Sequence, residues 1–401
     1  MANAEPEALP PPLGSSATAP SPLGRLTHIE GMRALAAYVV YINHVYAQVW
    51  LPPKPPPGYL SLFSYSLIAG HMAVTVFIVI SGFCLMLPVV RAGNHLRGGT
   101  AGFFKRRARR ILPPYYAAVA FCLALIGTVM GKPTGTLWDV PIGVNTVAVI
   151  SHLALVQDLF GTSKINYVFW SIAVEWQIYF LFPLLVWSWR RYGWAVTVAS
   201  ALLVGYALRF GLADTRVSRA APQYLGLFAL GMLAAYVVQG SGVAVGRARE
   251  RFPWLLIGAA SLAFTCVLSG VWGVKVGITR YHILDFPVAV ATMATLVATS
   301  RPGHAADRWL WRLFAWRPLV FIGTFSYSVY LIHAPLIQVL WQFVLTPLHV
   351  TPVGMFAFYL GPGAIAVLAA SYVFFRAFEY PFLRAPASGA IERPAAVAAA
   401  E

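Results

Sequence analysis

The stretch NYVFWSIAVEWQIYFLFPLLVWSW, residues 166–189, decides the fold. As a helix rising about 1.5 Å per residue it is long enough to cross the roughly 30 Å of hydrocarbon in a bilayer. Its only charged residue is Glu175. A charge at the centre of a spanning helix costs roughly 2.5 to 3.5 kcal/mol on insertion scales, so this carboxyl requires a reason to be there.

Working outward, further apolar runs of spanning length occupy 33–51, 66–90, 111–130, 193–213, 223–239, 253–272, 283–300, 319–343 and 353–375. With 166–189 they predict an all-α fold, a polytopic transmembrane helical bundle of about ten spans. The run TVAVISHLALVQDLF at 146–160 is too short to cross and holds His152, Gln157 and Asp158, so it is expected as one short re-entrant or interfacial helix. Composition agrees: 59% of the chain is hydrophobic and 10% charged, against about a quarter charged in soluble domains. The lipid bilayer is the first partner implied. Residues 25–384 form the expected membrane domain. Residues 1–24 and 385–401, rich in Pro and Ala, read as disordered cytoplasmic tails, and the first lacks the basic start and apolar core of a signal peptide.

The net charge of +16 sets topology and does not point to nucleic acid, because no basic helix stands apart from the apolar runs. With the N-terminus inside, 21 of the 29 Lys and Arg residues fall in inner regions and 8, Lys54 among them, in outer ones. The positive-inside rule then places both termini in the cytoplasm of a multi-pass protein of the inner (plasma) membrane. Trp50, Trp138, Trp187, Trp189, Trp194 and Trp254 fall near span ends, where interface anchors are expected. Cys84, Cys122 and Cys266 show no metal-ligand spacing, so neither a metal site nor a disulfide is expected. The absence of GxxxxGK[ST], HExxH and GxGxxG argues against an ATP-driven pump, a zinc protease and a dinucleotide enzyme.

Three spans carry ionisable groups into the bilayer. In GMRALAAYVVYINHVY, Arg33 and His44 are eleven residues apart, on one helix face and about 16 Å apart along the axis. Glu175 is read as the only acidic residue deep in any segment, with Ser171 and Tyr179 four residues to either side in a polar seam. In FIGTFSYSVYLIHAPLI, Ser326, Tyr330 and His333 form a second seam at i, i+4 and i+7. His71 heads AVTVFIVISGF with Thr75 on its face; a solvated histidine at the interface is the plain reading. Two or three imidazoles at similar depth beside a buried carboxyl point to proton handling. At the inner end, FFKRRARRILPPYY packs Lys105, Arg106, Arg107, Arg109 and Arg110 together. Lysines would stop transfer equally well; planar guanidinium forks favour a phosphorylated ligand.

These pieces in this order resemble the acyltransferase-3 family of integral membrane O-acyltransferases: Arg33 with His44, HMAVTVFIVISGFCL at 71–85, RARRILPPYY at 107–116, FWSIAVEWQIYFLFPLL at 169–185, IGTFSYSVYLIH at 322–333 and EYP at 379–381. The resemblance implies transfer of an acyl group, acetyl by first expectation, from cytosolic acyl-CoA to a hydroxyl of a sugar. Acyl-CoA would be a donor substrate and not a tightly bound cofactor; the acceptor would be a glycan or glycolipid of the envelope or an exported polysaccharide. The family's essential Arg and His match Arg33 and His44, its buried Glu matches Glu175, and its arginine pair matches Arg107 and Arg110; with His333 added from the second seam and Arg106 and Arg109 from the basic cluster, His44, Glu175, His333 and Arg33 are expected to be catalytic and the four arginines 106, 107, 109 and 110 to hold the acyl-CoA phosphates. His71, Ser171, Tyr179, Ser326 and Tyr330 would be supporting residues. Glu175 or His333 is expected to orient His44 as a carboxylate orients imidazole in a triad. Two other readings remain open from the sequence, acylation of a small-molecule sugar such as a macrolide glycoside, and a proton-coupled transporter or flippase built on Glu175, His44 and His333.

Overall fold

The computed structural model describes residues 26–50, 56–300 and 305–383. Both expected tails, and Lys54, lie outside them. In chain order the helices are α1 Thr27–Val49, α2 Ser66–Arg91, α3 Gly99–Thr128, α4 Thr146–Leu153, α5 Trp170–Gly211, α6 Arg216–Arg219, α7 Tyr224–Gln239, α8 Val243–Arg251, α9 Trp254–Thr279, α10 Tyr281–Ser300, α11 Ala305–Phe314, α12 Arg317–Thr324, α13 Ser326–Leu340, α14 Pro352–Leu360, α15 Pro362–Phe374 and α16 Tyr380–Leu383. No strand occurs among the described residues. The chain is a polytopic helical membrane bundle.

Eight of the ten segments expected to span fall on a single helix, whereas 319–343 runs over α12 and α13, broken at Phe325, and 353–375 over α14 and α15, broken at Gly361. By length and apolarity, however, seven helices among the described residues qualify, or eight if the pair α7 and α8, bent by 101°, is one span. The difference has local causes. α1 carries Glu30, Arg33, His44 and Gln48, which lower its hydropathy. α7 is only 16 residues long, but it is the most enclosed helix of the bundle, walled by α2, α5 and α10. α5, 42 residues, joins two expected spans. Gly193 interrupts it with φ 86° and ψ 171°, a conformation open to glycine. Ser188 and Thr197 hydroxyls meet at 2.9 Å across that break, whereas nine residues of straight helix would part them by about 13 Å. The chain therefore doubles back, and its two legs flank α7: Phe182 and Trp189 of the first leg meet Phe228 and Tyr236, and Gly205 of the second abuts Pro222 and Gln223.

Glycines set the closest crossings. A Cβ on Gly82 of α2 would overlap the Phe228 carbonyl of α7, and one on Gly231 of α7 would overlap the Val79 carbonyl of α2. Likewise Gly31 of α1 faces the Phe314 carbonyl, and Gly323 of α12 faces the Glu30 carbonyl. In a bilayer, where burial of apolar surface gives no net drive between helices, such close approach supplies the packing.

The run expected to be re-entrant or interfacial is the eight-residue α4, capped by Asn145, whose side chain accepts from the Ala148 N–H. Val147, Ile150 and Leu153 form its exposed face. Its other side is tied to α3 by Tyr115 and Tyr116, which donate to the His152 and Leu153 carbonyls. Asp158, in the loop beyond it, has its pKa raised by burial, opposed by hydrogen bonds from Gln177. Of the tryptophans expected at the interface, Trp187 and Trp194 are exposed, but Trp50, Trp138 and Trp189 are buried, because loops and neighbouring helices cover the span ends. The cysteines are free; Cys122 is buried and Cys266 is exposed on the outside of the bundle, not enclosed.

Candidate functional site

Two polar centres lie in the bundle. The first is a cavity of about 430 Å³ walled by α1, α2, α3, α5, α12, α13 and the residues before α16, a size typical of ligand sites. It gathers Arg33, Arg107, Arg110, Glu175, Ser171, Tyr179, Ser326 and Tyr330 of the residues singled out in the sequence. Arg33 donates to Glu30 at 3.3 Å and to the Cys84 sulfur at 3.6 Å. Tyr179 donates to Glu175 and meets Ser81 at 3.0 Å. The Ser171 and Tyr330 hydroxyls are bonded to each other, and Tyr330 donates onward to the Val168 carbonyl at 3.1 Å.

Arg106 and Arg109 do not line this cavity; Arg106 turns away to the Arg97 carbonyl at 2.7 Å. On α3, both 106 and 107 neighbour 110, at i+4 and i+3, and only Arg107 of the two turns into the cavity. Two further carboxyls enter that the sequence reading left without a role, Glu30 and Glu379. Glu379 is buried and accepts a hydrogen bond from Ser328. Three arginines thus face three glutamates. Glu30 was detectable as the i−3 partner of Arg33, and Glu379 stands in the EYP motif. Glu175 is also not the sole deep acid, because Asp285 on α10 is fully buried.

The second centre is an imidazole pair. His44 Nδ1 and His333 Nε2 are 2.8 Å apart. His333 Nδ1 lies 3.0 Å from the Val329 carbonyl and 2.9 Å from that of Tyr330. Carbonyls only accept, so His333 carries its proton on Nδ1 and presents a lone pair at Nε2. His44 Nδ1 must then be the donor of the pair, which leaves the His44 lone pair on Nε2, where no hydrogen-bonding partner meets it among the described residues. The His44 ring is partly exposed and packs on Tyr167 with centroids 5.0 Å apart.

Glu175, expected beside the histidines, is in the arginine cavity; His333 is the hydrogen-bonding partner of His44. The two centres adjoin through Tyr330, which lines the cavity and stands 5.9 Å from the His333 ring. His71 is bonded to neither histidine. It stacks on Tyr281 at 4.0 Å, and its Nδ1 is buried without a partner.

On the far side of the histidine pair, Gln338 of α13 binds three segments together. Its Oε1 accepts from Gln48 at 2.7 Å and Thr136 at 3.0 Å, and its Nε2 donates to Thr134 at 3.2 Å. Buried Trp138 completes this roof against Tyr167. Gln48 lies one turn beyond His44 on α1, a spacing visible in the sequence. Among the described residues no group of His, Cys, Asp or Glu is placed to hold a metal.

A helical membrane bundle with an arginine-lined cavity and a histidine on its first helix matches a family model described as an acyltransferase domain, over residues 26–376. The chain belongs to that acyltransferase family. It is 25% identical over 290 residues to YrhL of Bacillus subtilis (strain 168), whose name gives it as a candidate peptidoglycan O-acetyltransferase, covering 67% of this chain and 44% of that protein. It is 24% identical over 330 residues to the O-acetyltransferase OatA of Staphylococcus aureus, covering 78% of this chain and 50% of that protein. A third relative, Nodulation protein 10 of Rhizobium leguminosarum bv. viciae, is 26% identical over 328 residues, 77% of this chain and 82% of that one. The chain spans about half the length of the first two. No solved structure matches it.

Proposed function

We propose that this protein is a membrane O-acyltransferase of the inner (plasma) membrane that moves an acyl group, acetyl in the first instance, from cytosolic acyl-CoA to a sugar hydroxyl of an envelope or exported polysaccharide. The observation that carries this reading is the free Nε2 of His44, fixed by His333 and set about three helical turns from Arg33. The names of YrhL and OatA support the acetyl group, and that of YrhL supports the glycan acceptor.

In this scheme the coenzyme A phosphates rest on Arg33, Arg107 and Arg110, whose forks suit bidentate contacts. The pantetheine arm runs along the cavity past Ser171 and Tyr330 and brings the thioester toward His44. His44 Nε2 takes the proton of the acceptor hydroxyl as its oxygen attacks the thioester carbonyl. The carbon–sulfur bond breaks, and the imidazolium returns the proton to the leaving thiolate. His333 holds the His44 tautomer in the part a carboxylate plays in a triad. Both termini are placed in the cytoplasm, with residues 25–384 as the transferase domain.

The test is transfer of label from acetyl-CoA to envelope glycan in inverted membrane vesicles. His44→Ala is expected to abolish transfer while protein level and membrane insertion persist. Wild-type-like transfer by that variant would overturn the mechanism.

A further inference from the structure

A second cavity, apolar and about 290 Å³ in volume, lies between α1, α12, α13 and α15 and shares no lining residue with the arginine cavity. Tyr38 and Tyr41 of α1, Ile322 of α12, Val329 of α13 and Leu368 of α15 line it, and apart from the two tyrosines every lining side chain is aliphatic. The Tyr41 hydroxyl is committed to the Tyr359 carbonyl at 2.9 Å. Tyr38 is 47% exposed, so the cavity reaches the outside of the bundle. Val329 and Leu368 stand in two helices of spanning length, Ser326–Leu345 and Pro362–Leu383, which puts the opening at hydrocarbon depth. Water is a poor occupant, because a bound water needs about two to four polar partners. A hydrocarbon chain has no such requirement.

Toward the arginine end of the bundle the same seam turns cationic. Ile322, Val329, Leu368 and Tyr372 belong to one apolar cluster, and Phe321 of α12 packs on Tyr372 of α15 with centroids 5.4 Å apart. Arg317 lies one turn before Phe321 on α12. Arg376 lies one turn past Tyr372 and donates to its hydroxyl at 3.3 Å. Both arginines are exposed. The Tyr372 hydroxyl and the Tyr380 ring, 5.0 Å from the Arg376 guanidinium, bring no negative charge to it. Trp316, 59% exposed beside Arg317, marks the depth of the lipid headgroups.

A pair of guanidinium groups at headgroup depth, set on the same seam as an apolar slot, has the outline of a lipid with a phosphate head. We propose that this seam binds one anionic phospholipid, its phosphate on Arg317 and Arg376 and one acyl chain in the cavity. Tyr41 stands one turn before His44 on α1, so the bound chain backs the helix that carries the imidazole pair.

Native mass spectrometry of the purified full chain in detergent, titrated with dioleoyl phosphatidylglycerol or dioleoyl phosphatidylcholine, tests this without reference to acyl transfer. The wild type is expected to hold phosphatidylglycerol at least about tenfold more tightly, since each arginine near a lipid phosphate is worth about fivefold. Arg317→Gln combined with Arg376→Gln, both at exposed positions, should erase that preference. Ala364→Phe fills the cavity and leaves both arginines, and it should weaken the binding of either lipid by about tenfold. Glycerol 1-phosphate, the head without its chains, should fail to displace the lipid. Equal affinity of the wild type for the two lipids, a preference that survives the double substitution, undiminished binding by Ala364→Phe, or displacement by glycerol 1-phosphate would each overturn the proposal.

Discussion

At His44 the identity of the hydrogen-bonding partner decides which ring nitrogen carries the lone pair. Two backbone carbonyls hold the His333 proton on Nδ1, and His333 in turn holds the His44 proton on Nδ1. The prediction follows from acceptor chemistry. In His333→Gln the amide oxygen still accepts from His44 Nδ1, whereas His333→Leu leaves that N–H without a partner. The leucine variant should lose about a hundredfold or more in transfer rate and the glutamine variant no more than about tenfold. Equal rates for the two would mean that His333 does not act through His44. The Arg33 to His44 spacing was legible in the sequence because one helix fixes it. The partner of His44 was not, because whether Glu175 or His333 turns toward it depends on how α5 and α13 are rotated against α1. That same rotation turns Glu175 toward the arginines.

At the scale of elements, the crossing of α2 with α7 depends on two glycines, each lodged against the other helix's backbone. Any side chain at Gly231 must push α7 away from α2, and α2 carries Ser81 and Cys84 of the cavity wall. Overpacking of a close interface costs about 1–3 kcal/mol for small insertions and more for branched ones. Gly231→Val is therefore expected to lower the yield of detergent-stable protein and its unfolding temperature. Gly246→Val is the control, since a Cβ there meets nothing within 4 Å. Indistinguishable behaviour of the two would refute the crossing. Apolar length alone placed α2 and α7 in the sequence, yet nothing in it paired them. Gly82 and Gly231 are single glycines in runs that each hold others, so the contact is visible only once the helices are docked.

For the whole molecule, the central question is whether the chain alternates sides as the charge distribution demands. The reversal at Gly193 answers it within α5. Its second leg, 194–211, is long enough at about 27 Å to return across the hydrocarbon, and Tyr206 near its end donates to the His282 carbonyl at the start of α10. The opposite end of α10 meets the start of α1, where His28 and Ser300 are 3.3 Å apart. Arg191 and Trp309 therefore belong at the arginine end of the bundle, and Asp214 at the other. Single cysteines placed by Arg191→Cys, Trp309→Cys and Asp214→Cys, in a chain whose own Cys84, Cys122 and Cys266 are replaced, should react with an impermeant maleimide from opposite faces. Positions 191 and 309 should label only in inverted vesicles, and position 214 only from outside intact cells. Labelling of 191 and 214 from the same face would make α5 a single crossing. It would also reverse every later span, placing the arginines of α11 and α12 outside, against the positive-inside rule.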